Sequence, residues 1–405
     1  MHPLIYDWNT VDTPPDPPRP VMLDDETLRD GLQSPSVRTP TIDQKLQILH
    51  LMEALDIDSV DIGLPGAGPH VVRDVERLAR EIVAAKLRIR PNCAARTTLG
   101  DITPVVEISQ RVGIAIECCT FIGSSPIRQY TEDWTLDHLQ RLTEQAVGAA
   151  VKEGLPVMYV TEDTTRADPE SLRRLYTTAI RAGAKRVCIA DTVGHATPPG
   201  ARAVVRYVQS IVDGEGGDVG IDWHGHRDRD LAMENSLAAM EAGATRLHGA
   251  ALGIGERVGN TPIDLLLTNL VLMGYRQTDL TRLGEYCALV SEACGVPIPP
   301  NYPVVGRDAF RTATGVHAAA VIKAIRKRDA SLADAVYSGV PASLVGRAQA
   351  IEIGPMSGRS NVVFWLESHG MEATDELVDR IFTKAKSSSS VLTEAEVRAA
   401  ADEPT

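Results

Sequence analysis

The stretch Val219-Gly220-Ile221-Asp222-Trp223-His224-Gly225-His226 governs how the rest of the chain is read. It is a short apolar run that closes on two histidines two residues apart. In an extended strand alternate side chains share a face. His224 and His226 then point one way with Asp222 beneath them, while Ile221 and Trp223 face the packed side. Two imidazoles at a strand end are either half of a divalent metal site or two polar residues at a strand exit. The flanking sequence has to decide between them.

Working outward, seven further β-like runs accompany this one. They are Val21–Leu23, Ser59–Ile62, Arg88–Arg90, Ile114–Glu117, Val157–Val160, Val187–Ala190 and Arg246–Gly249, with Gly220–Trp223 as the seventh in order. Amphipathic helical stretches separate them, among them Asp43–Leu55, Leu136–Glu153, Pro169–Ala182, Pro198–Val212 and Leu231–Ala242. Asp168-Pro169 and Thr197-Pro198 have the chemistry of helix starts. Eight strand–helix units in about 250 residues predict an α/β fold, a (β/α)8 TIM barrel. A doubly wound sheet is second, since its one candidate dinucleotide loop, Gly63-Leu64-Pro65-Gly66-Ala67-Gly68, carries a proline.

From about Thr278 the pattern changes. Helices are expected at Leu280–Ala293 and Ala309–Arg328, β-like stretches at Ala350–Ile353 and Asn361–Trp365, then two final helices joined by a loose linker at Lys384–Ser390. The expected organisation is an irregular N-terminal arm (1–20), a TIM-barrel catalytic domain (21–277) and appended, mainly helical C-terminal subdomains (278–405).

Composition narrows the function. A net charge of −13 argues against nucleic acid or an anionic membrane as partner. No apolar run approaches the roughly 20 residues of a transmembrane helix, and the Pro- and Asp-rich start lacks the form of a signal peptide. The six cysteines lie in or near apolar segments without Cys-x-x-Cys spacing, as buried thiols of a reducing cytoplasm would.

Barrel enzymes place their sites at the C-terminal strand ends. Those ends carry, in order, Thr27-Leu28-Arg29-Asp30-Gly31-Leu32-Gln33, Asp61, Arg96, Thr120 and Ser124, Thr161-Glu162-Asp163, Asp191-Thr192, the two histidines, and Gly255-Glu256-Arg257-Val258-Gly259-Asn260. Nearly every end offers a group with a chemical use. Arg29 is read in two ways, as a stabiliser of developing negative charge or as the ion-pair partner of Asp30.

These motifs, together with Asn235–Ala244, Val305–Phe310, Thr314–His317 and Ser357–Arg359, resemble the DRE-TIM metallolyases from about residue 20 to 365. Within them the chain is similar to the Claisen-condensing branch, which includes 2-isopropylmalate, homocitrate and citramalate synthases. The resemblance implies a divalent cation (Mg, Mn or Zn) held by Asp30, His224, His226 and Asn260. It implies that this cation is chelated by a 2-oxo acid, with Arg29 beside it as catalytic residue. Gln33, Thr192 and Arg96 are implied to bind substrate. Glu162 matches the family acid that acts on acetyl-CoA, and His317 and Tyr337 match catalytic residues contributed by the neighbouring subunit, so a homodimer with exchanged C-terminal regions is implied. The implied reaction joins acetyl-CoA to a 2-oxo acid and hydrolyses the thioester, most closely as 2-isopropylmalate synthase does.

Three positions depart from the family pattern. Leu32 stands where the synthases usually have Glu, as in hydroxymethylglutaryl-CoA lyase. Arg227 replaces the usual Asn after the histidine pair, placing a cation near the site, and Asp61 stands where Glu is common. A carbon–carbon lyase is therefore an alternative, and so are homocitrate, citramalate or citrate-type synthases. Feedback by leucine through a further C-terminal domain is not expected.

Overall fold

The protein is described from a computed structural model covering residues 2–11 and 20–402. Eight parallel strands close into a barrel in chain order. They are β1 (Met22–Asp25), β2 (Ser59–Asp61), β3 (Arg90–Arg96), β4 (Glu117–Gly123), β5 (Val157–Glu162), β6 (Arg186–Asp191), β7 (Gly220–Gly225) and β8 (Arg246–Gly249). The ring is sealed where β1 pairs with β8, from Met22 opposite Arg246 to Asp25 opposite Gly249. Between and after the strands run α1 (Ile42–Ala54), α2 (Pro69–Ala84), α3 (Leu99–Val112), α4 (Pro126–Thr131), α5 (Leu136–Lys152), α6 (Pro169–Arg181), α7 (Pro198–Glu215), α8 (Ala232–Glu241), α9 (Ile263–Leu272) and α10 (Leu283–Cys294). The expected (β/α)8 barrel is the fold observed.

Local chemistry sets the helix starts. The Thr41 hydroxyl and Gln44 side chain form a reciprocal capping box at α1. At α6 Asp168 accepts the Ser171 N–H while Pro169 occupies the first turn. All six cysteines are buried and free.

Two strands run beyond their apolar signals. β3 begins where the Arg88–Arg90 run ends, and β4 begins at the last residue of Ile114–Glu117. Their extra length is made of small and polar residues such as Asn92, Ala94 and Thr120, all buried. The barrel interior partners one of them: the Asn92 amide donates to Asp24 at 2.6 Å.

The contact pattern divides the described residues into two units: 20–278 with 285–297, and 2–11 with 279–284 and 298–402. Most of α10, counted from sequence with the appended region, thus groups with the barrel, where its Tyr286 hydroxyl donates to Asp25. The second unit holds α11 (Gly315–Arg326), α12 (Ala330–Ala335), α13 (Arg359–Ser368), α14 (Asp375–Ser387) and α15 (Glu394–Asp402), with a short parallel pair, β9 (Arg311–Thr312) and β10 (Ala350–Ile351). Its core includes Val362, Trp365, Leu366, Val378, Ile381 and Val397.

Asn361–Trp365, read as a strand, lies inside α13. Val362, Trp365 and Leu366 share the i, i+3, i+4 face of a helix, and that longer period wins over a β-rich composition. The expected helix at Ala309–Arg328 starts only at Gly315, because Arg311–Thr312 is taken up by β9. The Lys384–Ser390 linker is helical as far as Ser387, with Lys384 and Lys386 complementing the negative end of α14. Of the N-terminal arm, 2–11 carry one helical turn, Trp8–Thr10, capped by Asp7; Met1 and 12–19 lie outside the described residues, as do 403–405.

Asp25 links this architecture to pH. Burial pushes its carboxyl up to about 7, against hydrogen bonds from Thr27 and Tyr286. The folded state therefore holds a proton that the unfolded chain, with an aspartate near 3.8, has released. This contribution to stability is fully present below about pH 4 and is lost as pH rises to about 7. Asp25→Asn should flatten the decline in unfolding free energy, measured by urea, across that window by up to about 1.4 kcal/mol per pH unit. Parallel wild-type and variant curves from pH 4 to 8 would refute the assignment.

Candidate active site

Strand alternation delivers the histidine pair as expected. Asp222, His224 and His226 share one face of β7, while Ile221 and Trp223 are buried in the packing around it. The two imidazole rings lie 4.9 Å apart. Asp30 arrives from the turn after β1, and one ligand-type atom from each of Asp30, His224 and His226 lies within 4.8 Å of the others.

Asn260 is brought in by the loop after β8, which folds back on itself through left-handed residues. A Cβ on Gly259 would stand 1.7 Å from the Gly253 carbonyl oxygen, and one on Gly255 would stand 2.2 Å from Asn260 Nδ2. That close return lets Asn260 Nδ2 donate to Asp30 Oδ1 at 2.8 Å and to the Ile254 carbonyl at 3.1 Å. Its Oδ1 is then left buried without a partner, as is Nδ1 of His226. Orphaned buried acceptors are costly, and two of them beside a carboxylate fit a divalent cation with mixed N and O ligands.

The protonation states agree. Burial would raise Asp30, but Arg29 and His224 outweigh it and hold the carboxyl below its ordinary range. Burial first, then the neighbouring His224, pushes His226 down to about 4, so its ring is neutral near pH 7.

Arg29 pairs with Asp30, as one of its two readings has it, and with two more carboxylates. Nε donates to Asp61 at 2.6 Å, Nη1 to Asp30 at 2.7 Å and Nη2 to Glu26 at 3.1 Å. Three carboxylates fix the guanidinium at the cavity wall. Burial raises Asp61 to about 7 despite Arg29.

These groups line a cavity of about 250 Å³, together with Gln33, Glu162 and Thr192. Glu162 ends β5, and burial raises its carboxyl against the opposing pull of Arg128, whose Nη2 lies 4.0 Å away. Thr192 Oγ1 accepts the Asp163 N–H at 2.7 Å, leaving its own O–H to donate. The lining also carries apolar side chains, Leu64, Ala94, Phe121, Met158 and Val160.

Arg96 does not join them. Its guanidinium closes on Asp101 with two bonds of 2.8 Å, it stays exposed, and it is absent from the cavity lining. Arg227 is also outside the cavity; its Nη2 meets Asp230 at 3.0 Å and its N–H binds the Gly259 carbonyl. His317 and Tyr337 belong to the second unit, where their rings stack at 4.4 Å on an exposed surface.

Sequence reasoning missed Glu26 and His248. Glu26 Oε2 meets His224 Nδ1 at 2.7 Å and its Oε1 meets His248 Nδ1 at 3.0 Å. Below them Asp222 is paired with Arg186, Arg246 and His248, and Arg246 reaches Glu117 at 2.6 Å. The available signal was that Glu26 directly precedes Thr27 at a strand end and that His248 alternates with Arg246 along β8.

Residues 21–290, more than half of the chain, match the HMGL-like family model. The chain belongs to the HMGL-like family. Within it the chain falls in the Claisen-condensing branch of the DRE-TIM metallolyases. It is 34% identical over 381 residues to homocitrate synthase AksA of Methanopyrus kandleri, covering 92% of this chain and 88% of that protein. It is 31% identical over 379 residues to 2-isopropylmalate synthase of Pyrococcus furiosus, covering 91% of this chain and 72% of that one. The hydroxymethylglutaryl-CoA lyase structure from Bacillus subtilis superposes with a TM-score of 0.59 at 20% identity over 70% of this chain and 97% of that one, a likeness of fold. This HMGL-like chain contains no helix, among its described residues, long and apolar enough to cross a membrane.

The geometry separates Asp30 from Arg96, both of which the sequence analysis placed in the site. Asp30→Ala should weaken Mn²⁺ binding at least about 10²-fold, since losing a ligand costs more than losing a group that supports one. Arg96→Ala should leave both Mn²⁺ affinity and kcat/KM within about 2-fold of wild type, because surface ion pairs contribute little. Calorimetric titration of the two variants checks both, and a strong effect at Arg96 would place it back in the site.

Proposed function

We propose that this protein catalyses a metal-dependent Claisen condensation of acetyl-CoA with a 2-oxo acid, followed by hydrolysis of the thioester. The products are a 2-hydroxy dicarboxylate and CoA. We further propose that the oxo acid carries an aliphatic side chain, as 2-oxoisovalerate does in 2-isopropylmalate synthesis. The observation that carries this reading is one cavity lined by both kinds of group: Arg29, Asp30, Glu162, His224 and His226, and with them Leu64, Ala94, Phe121, Met158 and Val160.

Asp30, His224, His226 and Asn260 would hold Mg, Mn or Zn, which when bound polarises the keto group of the oxo acid. Arg29, immobilised by Glu26, Asp30 and Asp61, retains N–H groups to stabilise negative charge growing on the carbonyl oxygen. Thr192 and Gln33 donate hydrogen bonds to the substrate carboxylate. Glu162, raised by burial, is suited to take a proton from the acetyl methyl group. His317 and Tyr337 complete the acid–base set from the second copy of a homodimer with exchanged C-terminal regions.

An oxo acid ending in a second carboxylate would place that charge against the apolar side chains of the lining. Arg29, the guanidinium in the cavity lining, already faces three carboxylates, so desolvation of the second charge goes uncompensated. Release of CoA thiol should therefore be followed with Mn²⁺ and 2-oxoisovalerate, pyruvate, 2-oxoglutarate or oxaloacetate. The expected kcat/KM is greatest for 2-oxoisovalerate and lower by about 10²-fold or more for 2-oxoglutarate. Failure to release CoA with every acid would remove the condensation reading, and preference for 2-oxoglutarate would remove the aliphatic one. Leu32 favours a second reading, carbon–carbon cleavage of a hydroxyacyl-CoA, which the same mixture tests when supplied with 3-hydroxy-3-methylglutaryl-CoA.

A further inference from the structure

Behind the histidine pair, four buried side chains make one unbroken line of hydrogen bonds. Asp222 Oδ2 lies 2.9 Å from His248 Nε2, His248 Nδ1 lies 3.0 Å from Glu26 Oε1, and Glu26 Oε2 lies 2.7 Å from His224 Nδ1. Glu26, His248 and Asp222 are each at most 3% exposed, so water does not substitute for any of these contacts.

The direction of the line follows from donor counting. Both nitrogens of His248 face carboxylate oxygens, and ionised carboxylates only accept. His248 therefore donates at both ends. Glu26 receives one hydrogen from His248 on Oε1 and another on the same oxygen from Arg29 Nη2 at 3.1 Å. Its remaining oxygen, Oε2, can only receive the hydrogen of His224 Nδ1. His224 is left with its proton on Nδ1 and its lone pair on Nε2.

We propose that Glu26 is a positioning residue that fixes the tautomer of His224 for metal ligation and the orientation of Arg29 at once, with His248 and Asp222 setting its direction. This inference rests on the metal reading of Asp30, His224 and His226. Glu26, His224 and His248 also lie close enough together to suggest a second ion. Their atoms already meet one another at hydrogen-bond distance, and an ion about 2.1 Å from each ligand would have to displace both hydrogens. The hydrogen-bonded line is the reading that satisfies every donor. A carboxylate behind a ligating imidazole changes metal affinity about 10–100-fold.

The test uses the full-length protein and Mn²⁺. In Glu26→Gln the Mn²⁺ dissociation constant should rise about 10–100-fold while the far-UV circular dichroism stays that of wild type. A merely structural role would lower the melting temperature and leave the affinity of the folded protein unchanged, and that result overturns the proposal. Independently of any Glu26 variant, ¹⁵N-histidine spectra of metal-free wild type, assigned by the signal lost in His224→Gln, should show His224 as the Nδ1–H tautomer. A proton on Nε2 overturns the proposal even if Glu26→Gln does not fold. Absence of Mn²⁺ binding by wild type would remove the metal reading and this inference with it, whereas equal binding by wild type and Glu26→Gln removes this inference alone.

Discussion

Asp222 is fully buried inside the barrel and is held there by Arg186, Arg246 and His248. A charge in such surroundings is tolerated only when its partners are complete, and removing one partner of a buried pair costs several kcal/mol. The partners here come from β6 and β8, and Arg246 extends the chain of charge to Glu117 on β4. Strand register is thereby tied to electrostatics. A slip of β7 by one residue would turn Asp222 away from both arginines and carry His224 and His226 to the packed face. The pairing that makes the barrel interior stable is thus also what aims the histidines at the rim.

Above that layer the cavity combines two kinds of group. A single guanidinium is surrounded by three carboxylates, so its charge is already balanced before any substrate arrives. The rest of the lining includes aliphatic and aromatic side chains. The unusual Arg227 does not disturb this balance, because its guanidinium is spent on Asp230 and its backbone on the β8 loop.

Much of this was legible in the sequence, and the failures have definable causes. His224, His226 and Asp30 could be placed because strand period and the strand-end rule are geometric. The barrel followed from eight spaced runs even though β3 and β4 were placed too early. Those two strands are extended by polar residues such as Asn92, whose amide finds Asp24 across the barrel, and Thr120, so they carry no apolar signal. Glu26 and His248 escaped because their roles are relations between the first strand and the last two, which are distant in sequence. Arg96 shows the opposite case: it stands at a strand end, yet in the structure its side chain pairs with Asp101, five residues on, and is absent from the cavity lining. Asn361–Trp365 shows that a five-residue apolar run has no period of its own until its flanks are counted.

The contact between Asn260 and Asp30 joins residues at opposite ends of the barrel sequence. Asp30 follows the first strand, Asn260 follows the last, and the β1–β8 ladder is what seals the ring between them. The four-residue cluster therefore comes into being only when the circle is complete; a chain with seven strands formed has its histidines in place but no coordination sphere. Any cation that prefers the finished cluster adds its binding free energy to ring closure itself. Such an ion would act as a fastener on the seam, and depleting it would loosen the join between the first and last strands.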